Sequence, residues 1–175
     1  MKHLPPVQQK FVLHWGEMGT RWGVNRTVAQ IHALLFLSPR PMHAEEIAAT
    51  LGVARSNVST SLRELQGWGI VRVIHIMGDR RDHFESMKDV WEMFRIIVDE
   101  RKKREADPVL AMLRQTVGDA KKPGAADAYT RDRLNEMLQF FEAMTAWVEQ
   151  TRKLSTPALM RLVKMGDKIG RMLGA

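Results

Sequence analysis

AEEIAATLGVARSNVSTSLR, residues 44–63, is the stretch on which the fold turns. Ile47, Ala48 and Leu51 share one face of a helix. Val58, Leu62 and Leu65 share one face of a second, at the spacing i, i+4, i+7. Gly52 falls between the two, where a sharp turn takes a positive φ that costs glycine little. Ala48 is small, as a close helix crossing requires. Two short helices joined in this way make a helix-turn-helix, whose second helix enters the major groove of DNA.

The second helix presents a suitable outer face. With Val58, Leu62 and Leu65 set inward at 100° per residue, the opposite side carries Ser56, Thr60 and Arg63, flanked by Asn57, Ser59 and Glu64. Arg55 and Arg63 stand at the edges. Small donors and acceptors reach base edges and phosphates without holding the helix out of the groove. The alternative for this face is an ordinary solvated helix surface.

Downstream, Gly67 and Gly69 bracket Trp68 and end the helix. IVRVIHIM, residues 70–77, is rich in β-branched residues and predicts a strand; GDRRD, 78–82, is a turn; HFES, 83–86, returns as a second strand. A β-hairpin directly after the recognition helix is a wing. Its tip carries Arg80 and Arg81, the charge a minor-groove or phosphate contact needs. Arg81 has a second role open to it, a salt bridge with Asp79 or Asp82 that stiffens the loop, which leaves Arg80 the freer of the two.

Upstream, Pro5–Pro6 opens a helix over 6–18 with Val7, Phe11, Trp15 and Met18 at helical spacing. GTRWGV breaks it, and Asn25 caps a second helix to about Leu37 that turns Val28, Ile31, Leu34 and Leu35 inward. SPRP, 38–41, stops that helix. Beyond the wing, a long helix is expected from Met87 to Glu105 with Val90, Trp91, Phe94, Ile97 and Val98 on one stripe and RKKRE at its end. A further helical segment runs from Asp107–Pro108 to about Val117, and GDAKKPGAADA, 118–128, is a linker. Two apolar helices follow. Leu134, Met137, Leu138, Phe141, Met144, Thr145 and Val148, widened by Trp147, mark the first; Ser155–Thr156–Pro157 starts the second, with Leu159, Leu162, Val163, Ile169, Met172 and Leu173. Helices this apolar in so small a chain call for a partner surface, part of it the first helix and part a second copy of the chain; the alternative is a self-contained helical bundle in a monomer.

Composition narrows the function. Apolar residues make up 45% of the 175, enough for a core, and the net charge of +7 suits a polyanionic partner. The basic excess is spread along the chain rather than gathered in a tail. The absence of cysteine excludes disulfides and thiolate metal sites and fits a reducing cytoplasm. No apolar run is long enough to span a membrane, and MKHLPPVQQK does not read as a secretion signal. The six histidines offer no metal-helix spacing; His75 and His83, expected to face each other across the wing, make a poor zinc site without a third ligand. No phosphate loop, nucleophile elbow or isolated acid pair is present, so the expectation is not an enzyme, with no catalytic residue, metal or cofactor.

With these elements in order, the sequence resembles the MarR-type winged-helix regulators, and within them the GbsR branch. The residues that carry the resemblance are IHALLFLS (31–38), EEIAATLGVARSNVSTSLRELQGWGIVR (45–72), GDRRDHFES (78–86) and DVWEMFRIIVDERKKREADPVL (89–110). It covers roughly residues 15–115; the last third fits only in being helical. The resemblance implies a recognition helix over 55–66, with Ser56, Asn57, Ser59, Thr60 and Arg63 toward DNA beside the edge residue Arg55, wing contacts by Arg80 and Arg81, and dimerisation through the terminal helices. It further implies repression of osmoprotectant genes, in some members under the control of choline or betaine. Two positions depart from the pattern: Ala54 stands where relatives place a serine cap, and His43 where serine is usual. A quaternary ammonium effector calls for ring faces; Trp15, Trp22 and Trp91 are the candidates, the alternative being that they pack in the core.

The expectation is therefore a mainly α chain with a small β-hairpin wing: a winged helix-turn-helix domain with N- and C-terminal dimerisation helices. Its parts are an N-terminal helix at the dimerisation and ligand junction (1–24), the DNA-binding domain (25–87), long connecting helices (88–117), the linker (118–128) and a C-terminal helical dimerisation region (129–175). Its partners are a double-stranded DNA operator, a second copy and a small-molecule effector, with no membrane. The rival class is a winged helix that joins proteins or binds DNA without sequence preference. A protein-binding face would carry apolar residues at 56, 60 and 63, and an architectural one more lysine.

Overall fold

The computed structural model describes residues 4–166. The chain packs as two units, one ending at Ile96 and one beginning at Ile97. The first unit opens with α1 (Pro6–Arg21) and α2 (Arg26–Leu37). Asn25 caps α2 as its sequence position predicts, its side chain accepting the Thr27 amide at 2.8 Å. α1 runs through the expected break at Gly19, and the reason is packing. Val12, Gly16 and Gly19 form its buried stripe, while Val7, expected inward, is exposed. A Cβ at Gly19 would lie 2.5 Å from Ala29 Cβ, so the two helices meet backbone to side chain at a position only glycine fits.

A two-residue strand, β1 (Met42–His43), then leads into α3 (Ala44–Leu51) and α4 (Arg55–Gly67). Gly52 ends α3 at φ 70°, the left-handed turn its position calls for. Ile47 and Leu51 from α3 and Val58, Leu62 and Leu65 from α4 are buried with Val28, Ile31 and Leu35 from α2. The wing is β2 (Val71–Ile74) and β3 (His83–Ser86), and the sheet order is β1-β3-β2, antiparallel throughout. The expected strand over 70–77 is therefore too long by half: Ile76 and Met77 are exposed in the turn, because only residues with a β3 partner stay extended. β1 has no local pattern and exists through its pairing with β3. That pairing also corrects the expected facing of His75 and His83. His83 lies opposite Ile74 on one side and His43 on the other, whereas His75 is exposed.

Lys88 closes this unit. Its Nζ donates to the carbonyls of Leu35, Phe36 and Ser38 at 2.9, 2.9 and 2.8 Å, capping the C-terminus of α2 with a positive charge.

α5 (Val90–Arg101) does not continue unbroken to Glu105. A π-helical turn over Lys102–Ala106 separates it from α6 (Asp107–Ala120). Val90 and Phe94, expected on the inward stripe, are half-exposed, and Met93 is buried instead. Both lysines of the basic run RKKRE are paired: Lys102 meets Asp107 at 2.9 Å and Glu149 at 3.3 Å, and Lys103 meets Asp99 and Glu100. α6 extends three residues beyond Val117, so the connection to α7 (Ala128–Arg152) is residues 121–127, with Asp127 capping α7 through the Thr130 amide at 2.7 Å.

α7 carries two apolar seams one residue apart. Leu134, Leu138, Phe141, Thr145 and Val148 are half-buried, while Met137, Phe140, Met144 and Trp147 are 45–60% exposed. The single broad stripe expected for this helix is thus split. Ser155 caps α8 (Thr156–Lys164), which buries Leu159, half-buries Leu162 and exposes Val163; the expected positions Ile169, Met172 and Leu173 lie outside the described residues.

Candidate nucleic-acid interface

The buried side of α4 settles its exposed side. With Val58, Ser61, Leu62 and Leu65 inside, Arg55, Ser56, Asn57, Thr60 and Arg63 are exposed and Ser59 is half-buried at the edge. All six expected contact residues of the recognition helix therefore share one accessible surface. Arg63 has no hydrogen bond or ion pair among the described residues, so its five donors are available to a ligand. Ala54 occupies the cap position of α4 with extended backbone but no side-chain bond, as its missing hydroxyl dictates.

Arg55 is held. Its Nε donates to Glu45 Oε1 at 2.7 Å and its Nη1 to Ser59 Oγ. The guanidinium, with the helix backbone and His43 in support, holds the Glu45 carboxyl down to about 2. Both partners are half-exposed, so the pair orients the arginine more than it stabilises the fold.

At the wing tip the two arginines differ. Arg81 Nε and Nη2 are clamped on Asp79, the Nη2 contact at 2.5 Å, and the Arg81 amide donates to Asp79 Oδ1 at 3.0 Å. Asp79 is held well below the usual carboxylate range, first by Arg81. Arg81 Nη1 lies 3.0 Å from His43 Nε2, so each nitrogen of the guanidinium is engaged. Arg80 is exposed and has no partner among the described residues. Behind the tip, Arg72 on β2 pairs with the facing Glu85 on β3 at 2.7 Å. An anchored α4, a stiffened loop and unpaired arginines at 63 and 80 make a surface able to meet a phosphate backbone and base edges together.

The aromatic candidates are dispersed by role. Trp15 stacks on Phe11 at 5.4 Å and leans on His32 at 6.2 Å; Trp22 is half-exposed at the end of α1; Trp91 is half-buried near the start of α5. Among the described residues no three His, Asp or Glu side chains gather as for a metal, and no helix is long and apolar enough to cross a membrane. The sequence pattern does not disclose the role of His43: just past the SPRP break, nothing local marks it as a contact of the wing.

Residues 22–82, from the end of α1 to the wing tip, match the family model described as MarR family. This stretch is similar to the MarR family. The HTH-type transcriptional repressor GbsR of Bacillus subtilis (strain 168) is 21% identical over 123 residues, 70% of this chain and 68% of that protein. A crystal structure of a transcriptional regulator superposes with a TM-score of 0.64 at 21% identity, over 84% of this chain and 96% of that one, and has the same fold. The transcriptional regulator Tm0710 of Thermotoga maritima aligns with a TM-score of 0.39 at 15% identity, over 84% and 92% of the two chains. The MarR-family match ends at Asp82, so β3 and the Lys88 clasp lie just outside it.

Proposed function

We propose that this protein is a sequence-specific, double-stranded-DNA-binding transcriptional regulator that acts as a homodimeric repressor. The observation that carries the reading is the exposed face of α4, where small polar side chains and an unpaired Arg63 sit opposite a buried apolar stripe. Ser56, Asn57, Ser59 and Thr60 read base edges, Arg63 reads a base or a phosphate, Arg55 lies along the backbone and Arg80 and Arg81 form the wing contact. An apolar face at 56, 60 and 63 would have suited a protein partner, and this face is polar.

The dimer rests on α7. Met137, Phe140, Met144 and Trp147 recur at 3, 4 and 3 residues, the spacing of a coiled-coil seam, and are left open by the chain's own packing. Two-fold symmetry then sets two recognition helices about 34 Å apart, or a multiple of this, on an inverted repeat. The description of the Bacillus subtilis relative as a repressor supports that sign of regulation. Trp15, Trp22 and Trp91 remain the proposed positions for a choline-like effector.

The test is selection of binding sites from a random duplex pool at near-physiological salt. An inverted repeat supports a specific dimer. Tight, salt-sensitive binding with no motif supports an architectural role instead, and no binding removes the DNA reading. With an operator in hand, choline or betaine that changes neither tryptophan emission nor DNA affinity removes the effector.

A further inference from the structure

A chain of side chains runs from the wing to the recognition helix through one imidazole. Asp79 clamps two nitrogens of Arg81, and the third, Nη1, lies 3.0 Å from His43 Nε2. A guanidinium only donates, so Nε2 presents its lone pair. A neutral imidazole with a bare Nε2 carries its proton on Nδ1, and Nδ1 stands 3.0 Å from Glu45 Oε2. The Glu46 amide, 3.3 Å from the same nitrogen, is the looser neighbour and meets a ring N–H rather than a lone pair. The other oxygen of Glu45 accepts from Arg55 Nε at 2.7 Å, and Arg55 reaches Ser59 one turn on. In this tautomer Arg81 donates to His43, His43 to Glu45 and Arg55 to Glu45, while the Glu46 amide is left facing the ring N–H.

His43 is placed to do this by the sheet. It pairs with His83 in β3, and the two rings meet edge-on at 5.6 Å. The His83 Nδ1–H donates to the Arg81 carbonyl at 3.0 Å. His43 thus touches the wing through its strand and through Arg81, and touches α4 through Glu45. Exposed ion pairs taken singly contribute little. A connected set in which each group orients the next restricts several side chains together.

We propose that His43 is a positioning residue that fixes the wing against the recognition helix, so that the contact made by Arg80 and the readout made by α4 are coupled. Its consequence for binding rests on the DNA reading; its consequence for the wing does not.

Two substitutions separate the roles of the ring. His43→Asn sets an acceptor near the Nδ1 position, where it caps α3 through the Glu46 amide, but does not reach Arg81. His43→Gln reaches the Nε2 position and accepts from Arg81. The Arg81 amide, bonded to Asp79, is the reporter of wing order in the full-length protein without DNA. His43→Asn is expected to speed its hydrogen exchange about tenfold, the loss of one hydrogen bond to a charged group. It is also expected to weaken operator binding about tenfold, with Arg80→Ala costing less in this background than in the wild type. His43→Gln restores both. Wild-type exchange in His43→Asn, or an Arg80→Ala cost that is the same in both backgrounds, overturns the proposal. If the wild-type protein selects no operator, the DNA reading falls, and the exchange data alone decide: unchanged exchange overturns the positioning role, and faster exchange rescued by glutamine upholds it.

Discussion

Arg63 and His32 mark two extremes among the side chains, one open to any ligand and one sealed from solvent. Arg63→Ala is expected to cost about 1–3 kcal/mol of operator binding and to relax the preference at one base position if the guanidinium spans a guanine. Binding assays on single-base operator variants check this; an equal loss on every variant makes Arg63 a phosphate contact. His32 is 5% exposed between Trp15 and Phe36, and its Nε2 has no hydrogen-bond partner among the described residues. Burial, reinforced by the Lys88 ammonium, holds its imidazole down to about 4 from 6.5. Between those two values the unfolded chain binds the proton that the folded chain refuses. The contribution of His32 to stability is therefore full above pH 6.5, falls as the pH drops, and is lost below pH 4, on the order of 3 kcal/mol. Urea midpoints measured from pH 4 to 8 should show this slope, and His32→Leu should flatten it; parallel curves would mean that His32 is not its source.

Helix crossings decide what the elements tolerate. A Cβ at Gly19 would meet Ala29 Cβ at 2.5 Å, and one at Gly16 would meet Gln30 Cγ at 2.6 Å, whereas Gly118 in α6 has open space around it. Alanine is the better helix former by about 1 kcal/mol, so Gly118→Ala should stabilise. Gly19→Ala should destabilise by about 1–3 kcal/mol, since Ala29 is fixed to its backbone, and Gly16→Ala should destabilise too, since the Cγ it meets belongs to the buried Gln30. Thermal melts of the three variants check the order. The same elements divide what the sequence discloses from what it conceals. α3, Gly52, α4 and the wing turn were legible because their signals are local: apolar spacing, a glycine, a GDRRD loop. The outward face of α4 followed from the same spacing. The Gly19 crossing was misread as a break, because a glycine that ends a helix and one that admits a neighbour look alike in sequence. β1 and the His43–Arg81 contact were invisible because they join residues 38 to 42 apart, and neither end carries a local mark. The split of α7 into a covered and an open seam needed α6 in place before the two could be told apart.

For the whole molecule, the open seam of α7 is the exposed feature that association would remove. Phe140→Glu together with Trp147→Glu should convert a dimer to a monomer by sedimentation while leaving the α-helical signal intact, and should weaken operator binding steeply because the two half-sites are no longer linked. A wild-type protein that sediments as a monomer at micromolar concentration would remove the homodimer from the proposal. Lys88 acts over a similarly long stretch of chain, joining the end of α2 to the segment that leaves the wing. Its three acceptors converge on a single atom from within 2.9 Å. That is a socket for a point charge with tetrahedral donors, and a planar guanidinium spreads its donors along a fork too wide to fill it. Lys88→Arg should therefore lower the melting temperature nearly as far as Lys88→Met. At this position the exchange of one cation for another conserves charge and discards shape, and shape is what the socket selects.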